Sequence, residues 1–156
     1  MKIRWKTLLI CIAIPLLVGL ISGLISRGGM EIFETVSKPP LSPPGFLFPI
    51  VWTILYILMG ISSYLVLSSG ASKGEVANAL STYGIQLFFN FFWSIIFFNL
   101  ELYTFAFVWL AALWIFILLT IIRFSKISKP AAYLMIPYIL WVSFAGYLNL
   151  GIAILN

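Results

Sequence analysis

Lys38-Pro39-Pro40-Leu41-Ser42-Pro43-Pro44-Gly45-Phe46-Leu47-Phe48-Pro49-Ile50-Val51-Trp52-Thr53-Ile54-Leu55-Tyr56 is a proline-dense polar segment that passes directly into a long apolar run. Four of the eight prolines stand between positions 38 and 45. Each fixes its own φ and removes a backbone donor, so this stretch can be neither regular helix nor interior strand. Beyond it, Trp52 and Tyr56 are four residues apart and share one helical face, with Met59 and Gly60 a turn further on. A stiff loop is expected above an aromatic wall.

The rest of the chain supplies the medium for that wall. It has 156 residues, 63% hydrophobic and 17% aromatic but only 8% charged, with a mean hydropathy of +1.14, whereas a soluble domain carries about 25% charged residues. A bilayer-spanning helix needs about 20 mostly apolar residues. Five stretches qualify, at 7–26, 45–67, 80–100, 102–123 and 131–155. The expected fold is an all-α integral membrane protein, a five-transmembrane-helix bundle forming a single domain over 1–156 with one substantial loop at 27–44. The first stretch follows Lys2, Arg4 and Lys6 as a signal peptide would. It is read as a retained helix, because its apolar run exceeds the usual 7 to 15 residues and Gly19 and Gly23 suit helix packing.

Charge gives the bundle an expected orientation. With the amino terminus inside, Lys2, Arg4, Lys6, Lys73, Arg123, Lys126 and Lys129 lie on the cytoplasmic side and only Arg27 and Lys38 outside. The chain is thus expected in the cell membrane with its amino terminus cytoplasmic and the 27–44 loop and carboxyl terminus outside. This topology accounts for the net charge of +5, and no nucleic-acid partner is inferred from it.

Helix three has the clearest face. Tyr83, Gln86, Asn90, Trp93 and Phe97 recur at steps of three and four, so two amides and three rings share one stripe. Helix five repeats the pattern with Tyr138, Trp141, Ala145 and Asn149. Amides at membrane depth point into the protein, either to bond to neighbouring helices or to orient a ligand, and both readings are open. Pro15 and Pro137 sit inside apolar runs, where they kink helices and free carbonyls that neighbours must satisfy. Trp5 reads as an interfacial anchor, and Trp109 and Trp114 as facing lipid or neighbouring helices.

Much chemistry is excluded. There is no histidine and no aspartate, and Cys11 is the only cysteine. The four glutamates, Glu31, Glu34, Glu75 and Glu101, fall in loops or at helix ends, so no intramembrane carboxylate relay can form and ion-coupled transport is disfavoured. A Ser-His triad, an ordinary zinc site and a proximal histidine for haem are all ruled out by composition. No metal and no cofactor is expected. What survives is the recognition of a flat apolar ligand by aromatic rings, oriented by a few amides and hydroxyls.

The motifs Lys38-Pro39, Pro43-Pro44, Trp52-x-x-x-Tyr56-x-x-Met59-Gly60 with Ser63-Tyr64, Gln86-x-x-x-Asn90-x-x-Trp93, and Pro137-Tyr138-x-x-Trp141-x-x-x-Ala145-x-x-Leu148-Asn149 follow in order along nearly the whole chain. Taken together, the chain resembles the TspO/MBR family of tryptophan-rich sensory and translocator proteins, also called peripheral benzodiazepine receptors. The resemblance implies a homodimeric five-helix membrane bundle. It also implies a pocket beneath the first loop for porphyrins such as protoporphyrin IX and haem-type tetrapyrroles, isoquinoline-carboxamide ligands and, in animal members, sterol. Carried over residue by residue, that pocket would be lined by Phe46, Trp52 and Tyr56, by Gln86, Asn90 and Trp93, and by Tyr138, Trp141 and Ala145. Some bacterial members promote light- and oxygen-dependent porphyrin breakdown. If this chain does so, Trp52 and Trp141 are the candidate catalytic residues, since no side chain here offers buried acid-base chemistry. Passive carriage of porphyrins or other lipophiles, and a stress-related regulatory scaffold, are the competing readings. Two features depart from the family pattern. No Lys or Arg follows Lys129, so the aliphatic–Tyr–basic sterol pattern is incomplete. Helix three also lacks a small-xxx-small seam around Gly84, which leaves Gly19 and Gly23 of helix one as the alternative dimer contact.

Overall fold

The computed structural model describes residues 2–156. It contains α1 (Trp5–Phe33), α2 (Leu47–Leu67), α3 (Lys73–Ser94), α4 (Tyr103–Ser125), α5 (Lys129–Leu134) and α6 (Ile136–Leu155). A π-helical turn, Ile95–Asn99, extends α3, and α5 with α6 forms one interrupted span. Among the described residues there are five spans long and apolar enough to cross a membrane and no strand.

The helix bounds differ from the sequence expectation where local chemistry overrides apolar length. α1 continues through Gly28 and Gly29 to Phe33, about two turns into the segment expected as loop. Gly29 makes this possible, because any side chain there would strike the backbone carbonyl of Phe98 in the π turn. Phe33 then packs edge-on against Phe48 and Phe98 at 6.3 and 5.3 Å, so α1 ends anchored to α2 and α3. α3 starts at Lys73 rather than near 80, since Ser72 caps it: its Oγ accepts from the Glu75 N–H at 3.2 Å and donates to the Glu75 carboxylate at 3.0 Å.

The two internal prolines act differently. α1 runs on through Pro15, whose missing N–H leaves the Cys11 carbonyl without its helical donor. Here α2 comes close, and a methyl group on Gly60 would collide with the Ile12 Cα and the Cys11 carbonyl oxygen. Around Pro137, in contrast, the span breaks, and α5 stops at Leu134. The Met135 N–H turns to Ala132 at 3.1 Å, freeing the Ala131 carbonyl, which accepts from the buried Ser62 hydroxyl of α2 at 2.6 Å.

This break places the site. α2 packs on α1, α3 and α5, whereas α6 packs chiefly on α4. α2 and α6 therefore diverge and meet mainly through rings, Trp52 against Tyr138 at 6.2 Å and Phe48 against Trp141 at 5.9 Å. Segment 34–46 crosses one end of the bundle and is held to α6. Tyr147 donates to the Pro40 carbonyl at 2.6 Å, Asn156 pairs with the Ser37 backbone at 3.2 and 2.8 Å, and Pro39 sits against Gly151. Leu41 turns the segment with a φ of 71°, a left-handed conformation that costs a branched side chain about 1 to 2 kcal/mol.

Candidate ligand site

The stripe on α3 is buried throughout: Tyr83, Gln86, Asn90, Trp93 and Phe97 all lie in the interior. Two of its members enter a hydrogen-bonded chain joining three helices. Tyr56 of α2 donates to Asn90 Oδ1 at 2.6 Å, Asn90 Nδ2 donates to the Tyr138 hydroxyl of α6 at 2.8 Å, and Tyr138 donates to Gln86 Oε1 at 2.6 Å. The Gln86 amide nitrogen faces Met59 Sδ at 3.9 Å, a weak acceptor. Both amide oxygens and both phenols are thus committed to protein partners.

Trp52 seals one side of this chain, stacked on Tyr56 at 5.6 Å with the rings 27° from parallel. Gly19 of α1 seals another. A side chain at 19 would run into the Tyr56 ring, so the phenol is clamped between α1 and Trp52. Gly23, by contrast, has open space where a side chain would go. Trp93 and Asn149 form a separate link: the indole N–H donates to Asn149 Oδ1 at 3.1 Å, and Asn149 Nδ2 donates to the Tyr103 carbonyl of α4 at 2.8 Å.

Of the nine residues expected to line a pocket, the structure brings Trp52, Tyr56, Gln86, Asn90 and Tyr138 into one packed cluster. Trp93 lies in the separate link, and Ala145 is buried in α6. Phe46 precedes α2 and is 69% exposed, apart from the cluster. Trp141 is different from all of these. Its Nε1 is buried with no hydrogen-bond partner, and its ring borders a crevice of about 560 Å³ between α2 and α6. Val51, Ile54, Leu55 and Leu58 form one wall, and Pro137, Leu140 and Phe144 join Trp141 in the other. The volume is in the range of about 300 to 1,000 Å³ usual for small-molecule sites.

The apolar walls were not distinguishable in the sequence. Val51, Leu55 and Leu58 recur at helical spacing, but so do residues that merely face lipid. A second groove of about 540 Å³ runs between α4 and α6. Its indole is satisfied, because Trp114 Nε1 donates to the Ser143 hydroxyl at 2.9 Å. Trp109 is also engaged, donating to the Phe89 carbonyl at 2.8 Å. Among the described residues no three His, Cys, Asp or Glu side chains gather as a metal-ligand set.

A family model described as TspO/MBR family matches residues 11–155. The chain belongs to the TspO/MBR family. Over 151 residues it is 42% identical to the tryptophan-rich protein TspO of Chlorobaculum tepidum, covering 96% of both chains. It is 40% identical to the protein of the same name from Archaeoglobus fulgidus, over 80% of this chain and 79% of that one. The translocator protein of Bos taurus is 33% identical, over 87% of this chain and 82% of its own length. This TspO/MBR chain is accordingly a multi-pass membrane protein of the receptor-like kind.

Proposed function

We propose that this protein binds planar lipophilic molecules, porphyrins such as protoporphyrin IX and haem-type tetrapyrroles among them, together with isoquinoline-carboxamide-like ligands, in the crevice between α2 and α6. The observation that carries this reading is the indole N–H of Trp141, buried without a partner in a crevice otherwise lined by hydrocarbon and aromatic carbon. A buried donor left unpaired costs about 1 to 3 kcal/mol, so a ligand bringing one acceptor to it recovers that cost while its flat face packs on Trp141 and Phe144. The chain has no histidine, so the ring system rather than a bound iron carries recognition, and metal-free protoporphyrin should bind about as well as haem.

Light-driven porphyrin breakdown extends the same reading. The excited ligand and oxygen would supply the reactivity, and the chain's role would be to hold the macrocycle against oxidisable indoles, Trp141 at the crevice and Trp52 behind it. Cell-membrane placement with a cytoplasmic amino terminus, and a homodimer, belong to this proposal too. Of Gly19 and Gly23 in α1, Gly19 is taken up by the Tyr56 ring within the chain, which leaves Gly23, open where a side chain would stand, for the contact.

The test is spectral. Purified protein in lipid nanodiscs is titrated with protoporphyrin IX in darkness and then illuminated in air. A saturable shift of the porphyrin spectrum that Trp141→Phe weakens supports the site, and absence of any saturable shift sinks it. Bleaching that requires light, oxygen and Trp141 assigns the chemistry. A shifted spectrum that stays stable under light leaves a binder only.

A further inference from the structure

We infer that the crevice between α2 and α6 is filled sideways from the bilayer, and that segment 34–46 is a fixed strap across the bundle end rather than an entry gate. This rests on the binding role proposed above and adds its route and ligand class: a planar molecule already dissolved in the bilayer, carrying at least one hydrogen-bond acceptor at its edge.

The mouth of the crevice continues the lipid-facing surface. Ile54 of α2 and Leu140 of α6 are 53% and 64% exposed, and both also line the crevice. Among the described residues no polar side chain other than Trp141 lines this opening, so the apolar face of a lipophile passes from acyl chains to crevice without gaining or losing a hydrogen bond until it meets Trp141. The end of the bundle offers no such path. The strap is tied to α6 at Pro40, Ser37 and Pro39 by Tyr147, Asn156 and Gly151. At its other side Lys38 Nζ donates to the Glu34 and Val36 carbonyls, both at 3.2 Å, and lies over the Phe33 ring at 4.8 Å. Beneath the strap, Phe48 packs edge-on against Trp141 and closes the crevice from that direction. A ligand entering from the end would have to break several hydrogen bonds and push the Phe48 and Trp141 rings apart. A ligand from lipid displaces only hydrocarbon.

The experiment measures the rate at which protoporphyrin IX passes from preloaded phosphatidylcholine vesicles to the protein in nanodiscs, followed by porphyrin fluorescence. Leu140→Trp and Ile54→Trp narrow the mouth from opposite walls at lipid-facing positions. Each should slow both loading and release about tenfold or more. Tyr147→Phe combined with Asn156→Ala frees the strap and should leave both rates within about twofold of wild type. Faster exchange on freeing the strap, or unchanged exchange in both mouth variants, overturns the lateral route while leaving the binding site intact. No uptake by the wild-type protein overturns route and site together. A second measurement does not depend on the folding of mouth variants. Brominated acyl chains should quench the wild-type protein's tryptophan fluorescence more than that of Trp141→Phe, and saturating porphyrin should abolish the difference. A difference that survives porphyrin gives the crevice to lipid and overturns the proposal.

Discussion

Behind the rings of Trp52 and Tyr138, four polar side chains from three helices satisfy one another in a chain of bonds of 2.6 to 2.8 Å. In front of them, on the lipid side of the same two helices, lies a crevice whose buried polar contribution is a single indole N–H with no partner. Both regions are aromatic and both are shared by α2 and α6, yet their chemistry is opposite. The inner region is closed on itself, since both phenols and both amide oxygens already have protein partners, although the Gln86 amide nitrogen faces no stronger acceptor than Met59 Sδ at 3.9 Å. The outer region is incomplete, and a ligand's acceptor would cost it nothing. Polar residues at membrane depth can therefore hold a bundle together, while the proposed recognition uses the unpaired group that borders the crevice, Trp141 Nε1, and not the unpaired Ser26 and Tyr83 hydroxyls.

Asn90→Leu attacks this contrast most strongly. It strips the Tyr56 hydroxyl of its acceptor and removes the donor that Tyr138 accepts from, so the bundle should lose about 2 to 4 kcal/mol. Reversible unfolding in mixed detergent reads this directly. Protoporphyrin affinity should move by no more than about threefold, well under the tenfold that 1.4 kcal/mol represents. Unchanged stability with a large loss of affinity would put Asn90 against the ligand and dissolve the distinction between the two regions.

Gly60→Ala tests the backing of the inner region. The added methyl group meets backbone atoms of Ile12 and Cys11, which cannot rotate away as a side chain end can. Overpacking of this kind costs about 1 to 3 kcal/mol and should appear as a lowered unfolding midpoint. Because α1 also presses Gly19 against Tyr56, the Tyr56–Asn90 bond should loosen with it, visible as faster amide exchange in α2. A variant as stable as wild type would mean that α1 and α2 are less tightly coupled than their contact suggests.

Trp141→Phe sharpens the outer side of the comparison. It keeps an aromatic wall and removes a buried donor that has no partner in the protein, so relief of the unpaired N–H, about 1 to 3 kcal/mol, offsets the packing lost with the smaller ring and stability should not fall. Ligands with an edge acceptor should bind about tenfold more weakly, as the loss of one buried hydrogen bond near 1.4 kcal/mol requires. Analogues without the acceptor should be indifferent to the change, and calorimetric titration of such a matched pair separates the two cases. Equal weakening of both would reduce Trp141 to a packing surface.

The five spans were readable from apolar run length alone, because the bilayer leaves few options for a chain with 8% charged residues. The interior was readable too. The α3 stripe predicted which of its faces is buried, and the four-residue spacing of Trp52 and Tyr56 predicted that they share a face, on which the structure stacks them. The division of labour among the polar groups was not, since Asn90 meets Tyr56 and Tyr138 across separations of 34 and 48 residues and no local pattern encodes which partner an amide will choose. The crevice was equally hidden. It exists because α6 leaves the line of α5 at Met135, and its walls are aliphatic residues that read as ordinary lipid-facing positions.

Phe46 provides the smallest expected effect and the cleanest control. Its place beside Trp52 and Tyr56 in the expected pocket rests on the family resemblance, but it stands before the first turn of α2 and is 69% exposed. A ring in that position buries little area, so its removal forfeits little transfer free energy, and substitution away from packed features usually changes stability by less than about 0.5 kcal/mol. Phe46→Ala should therefore leave the unfolding midpoint, porphyrin affinity and exchange rate from vesicles at wild-type values. Phe48→Ala makes the matching variant: it removes a ring packed edge-on against both Phe33 and Trp141 and opens the crevice toward the strap. If Phe46→Ala weakened binding as much as Phe48→Ala, the ligand would have to reach up under segment 34–46. The site would then extend to the bundle end instead of stopping at the Phe48–Trp141 contact.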